Sequence, residues 1–238
     1  MTSYLQMTKG DLKLIWRDPM LMLSILAPLL YTAIVIWGIP FAVEFVTTNY
    51  QITVEEYVPF FNFFLLPIAP MLFGMVYGFI MLDERDSGII SYLAVTPLGK
   101  SGYLSVRMAM PVLYSFVFNL FFIKLTGLDQ NINLVQFILY SLIIATEAPI
   151  MLLFLGAFAS NKVEGIAISK SFGILLIMLI PDFFMKGNWL WIFSVSPLWW
   201  IERAFFHTTY SWWYAIGALV MHLLFIWFLY KKFNRRFD

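Results

Sequence analysis

Cysteine is absent from these 238 residues, which excludes a disulfide scaffold and thiolate metal sites and leaves the redox compartment open. Charge is scarce as well. Only 12% of the residues are Asp, Glu, Lys or Arg, where soluble domains carry about a quarter, and the net charge of +1 offers no bulk attraction to nucleic acid. Histidine occurs twice, at His207 and His222, far apart and in no His-Glu-x-x-His pattern, so a metal hydrolase has little to be built from. The serines lie in no nucleophile elbow. Internal repeats and low-complexity tracts are also missing, and the chain reads as one domain, 1–238.

What the sequence has instead is apolar surface. Hydrophobic residues make up 61% of the chain, aromatic residues 19%, and the mean hydropathy is +0.82. No single soluble core hides that much, so the solvent is lipid. Six apolar stretches, at 22–46, 59–82, 104–125, 134–158, 164–182 and 212–230, are long enough to cross the hydrocarbon layer as helices. They lack the alternation of a barrel, and lipid cannot satisfy free backbone groups, so helices are the form they must take. The fifth is the shortest and is expected to break near Gly173 or Pro181. The fold class expected is an all-α integral membrane protein with six transmembrane helices. With the N-terminus inside, twelve basic residues face the cytoplasm and three (Lys124, Lys186, Arg203) face outward, which puts both termini in the cytoplasm.

Two further segments have character of their own. In YLQMTKGDLKLIWRDP (4–19), Lys9, Lys13 and Arg17 recur every four residues while Leu5, Leu12, Ile15 and Trp16 gather on another face. That pattern predicts an interfacial helix stopped by Pro19, its basic side toward anionic headgroups. The stretch FFMKGNWLWIFSVSPLWWIERAFFHTTYSWW (183–213) is too aromatic for a solvated loop and is interrupted by Pro197. Its segment 183–211 is expected to form short helices dipping into the outer leaflet. One role for it is an outer gate built on Pro197, Trp199, Trp200, Glu202 and Arg203; the other is an aromatic belt that only seats the protein.

The letters AVTPLGKS (94–101) imitate a phosphate-binding loop, and FIMLDE (79–84) imitates the carboxylate strand that holds magnesium in ATPases. Topology opposes both. FIMLDE is the inner end of the second span, Ala94 replaces the first glycine, and Pro97 has no N–H to give a phosphate. The chain is therefore not expected to hydrolyse ATP. The stretch belongs to a cytoplasmic loop, 83–103, in which Asp86 or Ser87 can cap a short helix with Ile89, Ile90 and Leu93 on one side, ending before Pro97. An amphipathic connector resting on the membrane and a docking helix gripped by a soluble partner both fit these residues.

At this point the sequence resembles a known family. The run ERDSGIISYLAVTPL is similar to the coupling loop of type-2 permeases of ATP-binding-cassette (ABC) exporters, a Glu-Arg pair, an acidic residue, Gly, a short apolar helix and Thr-Pro-Leu. Glu84, Arg85, Gly88, Leu93, Thr96, Pro97 and Leu98 match it; Asp86 and Ser87 stand where an acidic pair is common, and Ile90 where Leu is usual. SNKVEGIAISK (160–170) resembles the second cytoplasmic loop of the branch often labelled as drug or fluoroquinolone export permeases. The resemblance implies a dimeric pathway, made with a second copy or a paralogue. It also implies two copies of an ABC ATPase subunit gripping the coupling helices, with ATP and magnesium bound by that partner and no cofactor on this chain. An amphipathic or hydrophobic cargo (drug, lipid or peptide) is implied too, as are an elbow helix at 4–19 and surrounding lipid, with no nucleic acid.

Within the spans, Glu147 (in ATEAPI), Lys170 and His222 are the ionisable residues that need a reason. Glu147 either faces the pathway and meets a cationic or polar substrate group, or it pairs inside the bundle with Lys170 or His222. The competing function is an ion-coupled transporter or channel that uses Glu147 and needs no ATPase.

Overall fold

In the computed structural model, which describes residues 2–90 and 99–237, the described residues are helical apart from short turns. Six helical segments are long and apolar enough to cross a membrane: Pro19–Tyr50, Glu55–Asp86, Gly102–Thr126, Leu134–Phe158, Lys162–Phe184 and Thr208–Arg236. They coincide in number and order with the six expected stretches, but several are longer. The first and second nearly touch, joined by a turn at 51–54 that Gln51 enters with a positive φ of 54°. The second runs on through Asp86, and the third-span helix begins at Gly99, so the connecting loop is shorter than 83–103.

Local chemistry accounts for the boundaries. The N-terminal helix Thr2–Arg17 ends at Asp18, whose carboxylate accepts from the N–H groups of Met20 and Leu21 at 2.9 and 3.3 Å. Asp18 thereby caps the first span, and Pro19 is its first residue, where a missing N–H costs nothing. Pro19 thus opens a helix as well as closing one. The fourth span is broken. Pro149 has no N–H for the carbonyl of Ala145 and its ring crowds that carbonyl, so the helix stops at Ala145 and restarts at Glu147. The fifth span is broken twice, by a tight 3-10 turn at Lys170–Phe172 and a further turn before Ile180–Phe184.

The second and fourth spans form the centre. Of their most apolar 18 residues, 78% and 72% are buried, against 28% or less in the other four, which therefore surround them. Close approach explains the pairing. A Cβ on Gly74 would lie 2.2 Å from the carbonyl oxygen of Ala148, and one on Gly78 would lie 2.8 Å from the Leu155 side chain. Glycines four residues apart open a groove along one face of the second span, and the outgoing half of the fourth lies in it. Beyond the fifth span the aromatic segment folds as a 3-10 helix, Asn188–Val195, and an α-helix, Pro197–Phe206, that packs on the sixth span. There Gly217 accommodates the Trp200 ring, which a Cβ would meet at 2.2 Å.

Candidate functional site

Charged residues gather in three places: one end of the bundle, mid-membrane, and the opposite end. At the end that carries both termini, the core is Arg107 of the third span. Its guanidinium is 1% exposed and lies between two carboxylates, 2.6 Å from Asp11 of the N-terminal helix and bonded through Nη2 to Glu84 of the second span. Nε donates to the other Glu84 oxygen at 3.1 Å, and Tyr103 donates its hydroxyl to that same oxygen at 2.5 Å. Glu84 therefore braces the loop root by charge pairing. Arg85 does so differently, by donating to the carbonyls of Gly156 and Ala159 at the end of the fourth span. Arg236 of the sixth span reaches the same carbonyl of Ala159 and that of Ala157.

A second bridge lies beside the first. Lys162, opening the fifth span, contacts Asp18 at 2.7 Å and Asp83 at 3.1 Å. The Lys162 ammonium, with the backbone donors of the cap, holds the Asp18 carboxyl below the usual carboxylate range. All six spans and the N-terminal helix are thus tied at one end by side chains.

Several expectations for the loop are corrected here. The Ser87 hydroxyl donates backward to the carbonyls of Asp83 and Glu84 and closes the second span; most of the short helix that Asp86 or Ser87 was expected to cap lies outside the described residues. Gly88 follows with φ 75°, the left-handed geometry that ends a helix and favours glycine. Ile89 and Ile90 do not share a side, since Ile89 is 43% exposed and Ile90 is buried. The remaining coupling residues, Leu93, Thr96, Pro97 and Leu98, lie outside the described residues. On the N-terminal helix, Ile15 turns inward with Asp11 while Leu12 and Trp16 stay exposed, so the apolar face is split by a buried acid.

Mid-membrane, Glu147 pairs with His222 and not with Lys170. His222 Nε2 is 3.1 Å from Glu147 Oε1, with both side chains fully buried. Lys170 is exposed, at the start of the 3-10 turn in the fifth span. The His222 Nδ1 is 2.7 Å from the carbonyl oxygen of Ala218, which can only accept, so Nδ1 bears a proton. Nε2, the other ring nitrogen, is the atom that faces the Glu147 carboxyl. Glu147 also starts a helix, where the backbone dipole favours negative charge.

At the far end, Asp182 and Arg203 form a forked pair, with Nη2 at 2.6 Å and Nε at 3.0 Å. The Trp199 indole donates to the same carboxylate at 3.2 Å, and the Arg203 guanidinium lies 4.3 Å over the Trp199 ring. Pro197 and Trp199 are buried, and Trp200 donates to the carbonyl of Ser194 at 2.7 Å, so these residues hold the outer helix in place. Glu202 is 3% exposed; burial, aided by the Asp182 charge and opposed by Arg203, pushes its carboxyl up to about 9. The same surroundings push the His207 ring down, burial first and Arg203 second.

Arg107, Tyr103, Asp11, Asp18, Lys162 and Asp182 were not singled out from the sequence. A signal existed, because each basic residue at a span end had an acid available at another, but only the structure shows which ends meet.

Comparison with known proteins bears on this arrangement. The family model described as "Fluoroquinolones export permease protein Rv2686c-like" matches residues 11–230. The chain is similar to two proteins of Mycobacterium tuberculosis, the fluoroquinolones export permease protein MT2760 of strain CDC 1551 / Oshkosh and Rv2686c of strain H37Rv. Each is 28% identical over 236 residues, covering 96% of this chain and 92% of the relative. No solved structure matches the chain. With its six apolar spans, it is a multi-pass protein of the cell membrane.

Proposed function

This chain belongs to the Rv2686c-like family of fluoroquinolone export permeases, and from that premise we infer that it is the membrane-spanning subunit of an ABC-type drug exporter. Two permease chains line the pathway, and a separate ATPase subunit, bound at each loop between the second and third spans, drives it. ATP and magnesium bind that partner. Both termini face the cytoplasm, as the distribution of basic residues favours. The cargo is a fluoroquinolone-like amphipathic compound. An apolar groove of about 740 Å³ between the first and third spans, lined by Leu29, Phe73, Phe118 and Phe121 with Thr32 among them, is of a size and character to suit one.

The observation that carries this reading is the ion cluster at the loop's roots. A loop that passes a push from a soluble ATPase into the membrane needs stiff attachments. Glu84 and Arg107 join the two flanking helices directly, Asp11 adds the N-terminal helix, and Arg85 adds the central fourth span. An ordinary connector needs none of this. The test is co-purification of the full-length chain with its ATPase, followed by ATP-dependent drug export in vesicles. Leu93→Asp in the loop should abolish export and leave the chain folded; a folded chain that binds no ATPase and exports normally with Leu93→Asp overturns the reading.

The buried Glu147 and His222 pair favours a second reading, an ion-coupled exporter in which these two side chains carry the coupling ion. It separates cleanly from the first: export would collapse with the proton gradient and survive ATP depletion.

A further inference from the structure

Beside the outer Asp182 and Arg203 pair lies a cleft of about 430 Å³, within the range of drug-sized sites. The end of the fifth span, the turn after it, the 3-10 helix Asn188–Val195 and the helix Pro197–Phe206 form its walls. Its polar groups are not equivalent. Asp182 and Arg203 are occupied by each other, by Trp199 and by Tyr214, whose hydroxyl accepts from Arg203 at 3.3 Å. Glu202 is not. Its carboxyl lines the cleft and is more than nine-tenths buried, and its Oε2 has no hydrogen-bond partner. A buried carboxyl left without a partner is costly, and its continued presence on a cleft wall calls for a group that visits. Trp191 lines the cleft from the 3-10 helix Asn188–Val195; its ring packs against Trp199 and Trp200 and is still 48% exposed.

We propose that this cleft is an outer subsite for a planar aromatic compound bearing a protonated amine, with Glu202 as counter-charge to the amine and Trp191 as the stacking surface. The proposal rests on the export reading above and specifies which chemical class that export accepts. The surrounding charges permit it. Asp182 and Arg203 cancel, and His207 is kept uncharged near pH 7 by its depressed affinity for protons. Lys186 also lines the cleft and is exposed to solvent. From the second span, Tyr57 and Phe60 pack against Phe183 and Phe63 against Phe206, and the Glu56 carboxylate bonds the Tyr57 hydroxyl. Burial keeps Glu202 protonated in the empty cleft, so an arriving ammonium must displace that proton, and binding releases it.

The test uses the purified full-length chain in lipid nanodiscs, titrated calorimetrically near pH 7 in two buffers of different ionisation enthalpy. The probes are norfloxacin, which carries a basic ring amine, and nalidixic acid, a related fused-ring acid without one. Wild-type protein should bind norfloxacin about tenfold more tightly and release about one proton per molecule bound. Glu202→Gln should lose both the preference and the proton release, Glu202→Asp should keep the release, and Trp191→Ala should weaken both probes alike. Equal thermal unfolding of the variants establishes that each is folded. Unchanged norfloxacin binding in Glu202→Gln, an equal loss for both probes, no proton release, or no norfloxacin binding by wild type would each overturn the proposal. Export by cells is measured in parallel. Wild-type export of norfloxacin with unaltered binding in Glu202→Gln sinks the subsite and leaves the export reading standing; no export of either probe sinks that reading for this class, and binding alone then decides the subsite.

Discussion

Replacing Arg107 by Met tests the clasp at its centre. The guanidinium is 1% exposed and its partners Asp11 and Glu84 are 2% and 14% exposed, so removing it strands two carboxylates that face each other out of water. Breaking a buried pair by deleting one partner costs about 3–5 kcal/mol, and two stranded acids put the loss at the upper end. Lys124 and Asp129 supply the internal control: they are 2.6 Å apart with the lysine 71% exposed, so Lys124→Ala should cost about 0–1 kcal/mol. Equilibrium unfolding in mixed detergent micelles measures both. The decisive variant is the triple change Asp11→Leu, Glu84→Met, Arg107→Met. An apolar replacement of a buried ion cluster is commonly neutral or stabilising, so this variant should recover most of the lost stability. Drug export should nevertheless stay lost, because a packed apolar contact slides where forked ion pairs hold register. If Arg107→Met costs no more than Lys124→Ala, the cluster is solvated and the reasoning fails. If the triple variant exports normally, the cluster serves folding alone.

Three further outcomes follow from other parts of the molecule. Gly74→Leu forces side-chain atoms where the Ala148 carbonyl already sits, and since backbone cannot swing aside it should cost at least about 1–3 kcal/mol, read as early loss of the monodisperse peak after heating. Glu147→Gln keeps an amide within reach of His222, so ATP-driven export should survive within about twofold, whereas Glu147→Leu sets an apolar side chain against the buried ring nitrogen and should cost about 1–3 kcal/mol; loss of export in the folded Gln variant would instead favour the ion-coupled reading. The Glu202 carboxyl, raised to about 9 when folded, contributes its stability below its unfolded value near 4.3 and loses it as pH climbs toward 9. Thermal unfolding of wild type should therefore fall relative to Glu202→Gln across that interval, and parallel curves would refute the assignment.

The fold was largely legible because each span is a long apolar run, and lipid permits such runs only one regular form. Breaks were legible where proline supplied the mechanism, as the position of Pro181 showed for the fifth span; Pro149 carried the same message for the fourth, where Glu147 drew the attention instead. Helix ends were not, because Asp83 to Asp86 look like the start of a loop in sequence while Ser87 and Gly88 show that the helix continues to them. The site was legible by residue type more than by partner. Glu84 and Arg85 stand adjacent, yet one pairs 23 residues along the chain and the other reaches Ala159, 74 residues away. Side chains on consecutive helical positions point about 100° apart, so neighbours in sequence address different helices. Lys170 shows the converse: its place within an apolar span made it a candidate partner of Glu147, yet it sits on an exposed face while His222 takes that place.

The order of the clasps along the chain bears on how the protein is made. In both ion clusters at the terminus-bearing end the acids come first: Asp11 and Glu84 precede Arg107, and Asp18 and Asp83 precede Lys162. As the chain is synthesised, the third span therefore delivers its arginine to two carboxylates already waiting, and the fifth delivers its lysine to another two. Neither cation has to linger at the lipid boundary for a partner still inside the ribosome. Each newly inserted span can be latched on arrival, which suits a bundle whose outer helices have little buried surface of their own to hold them.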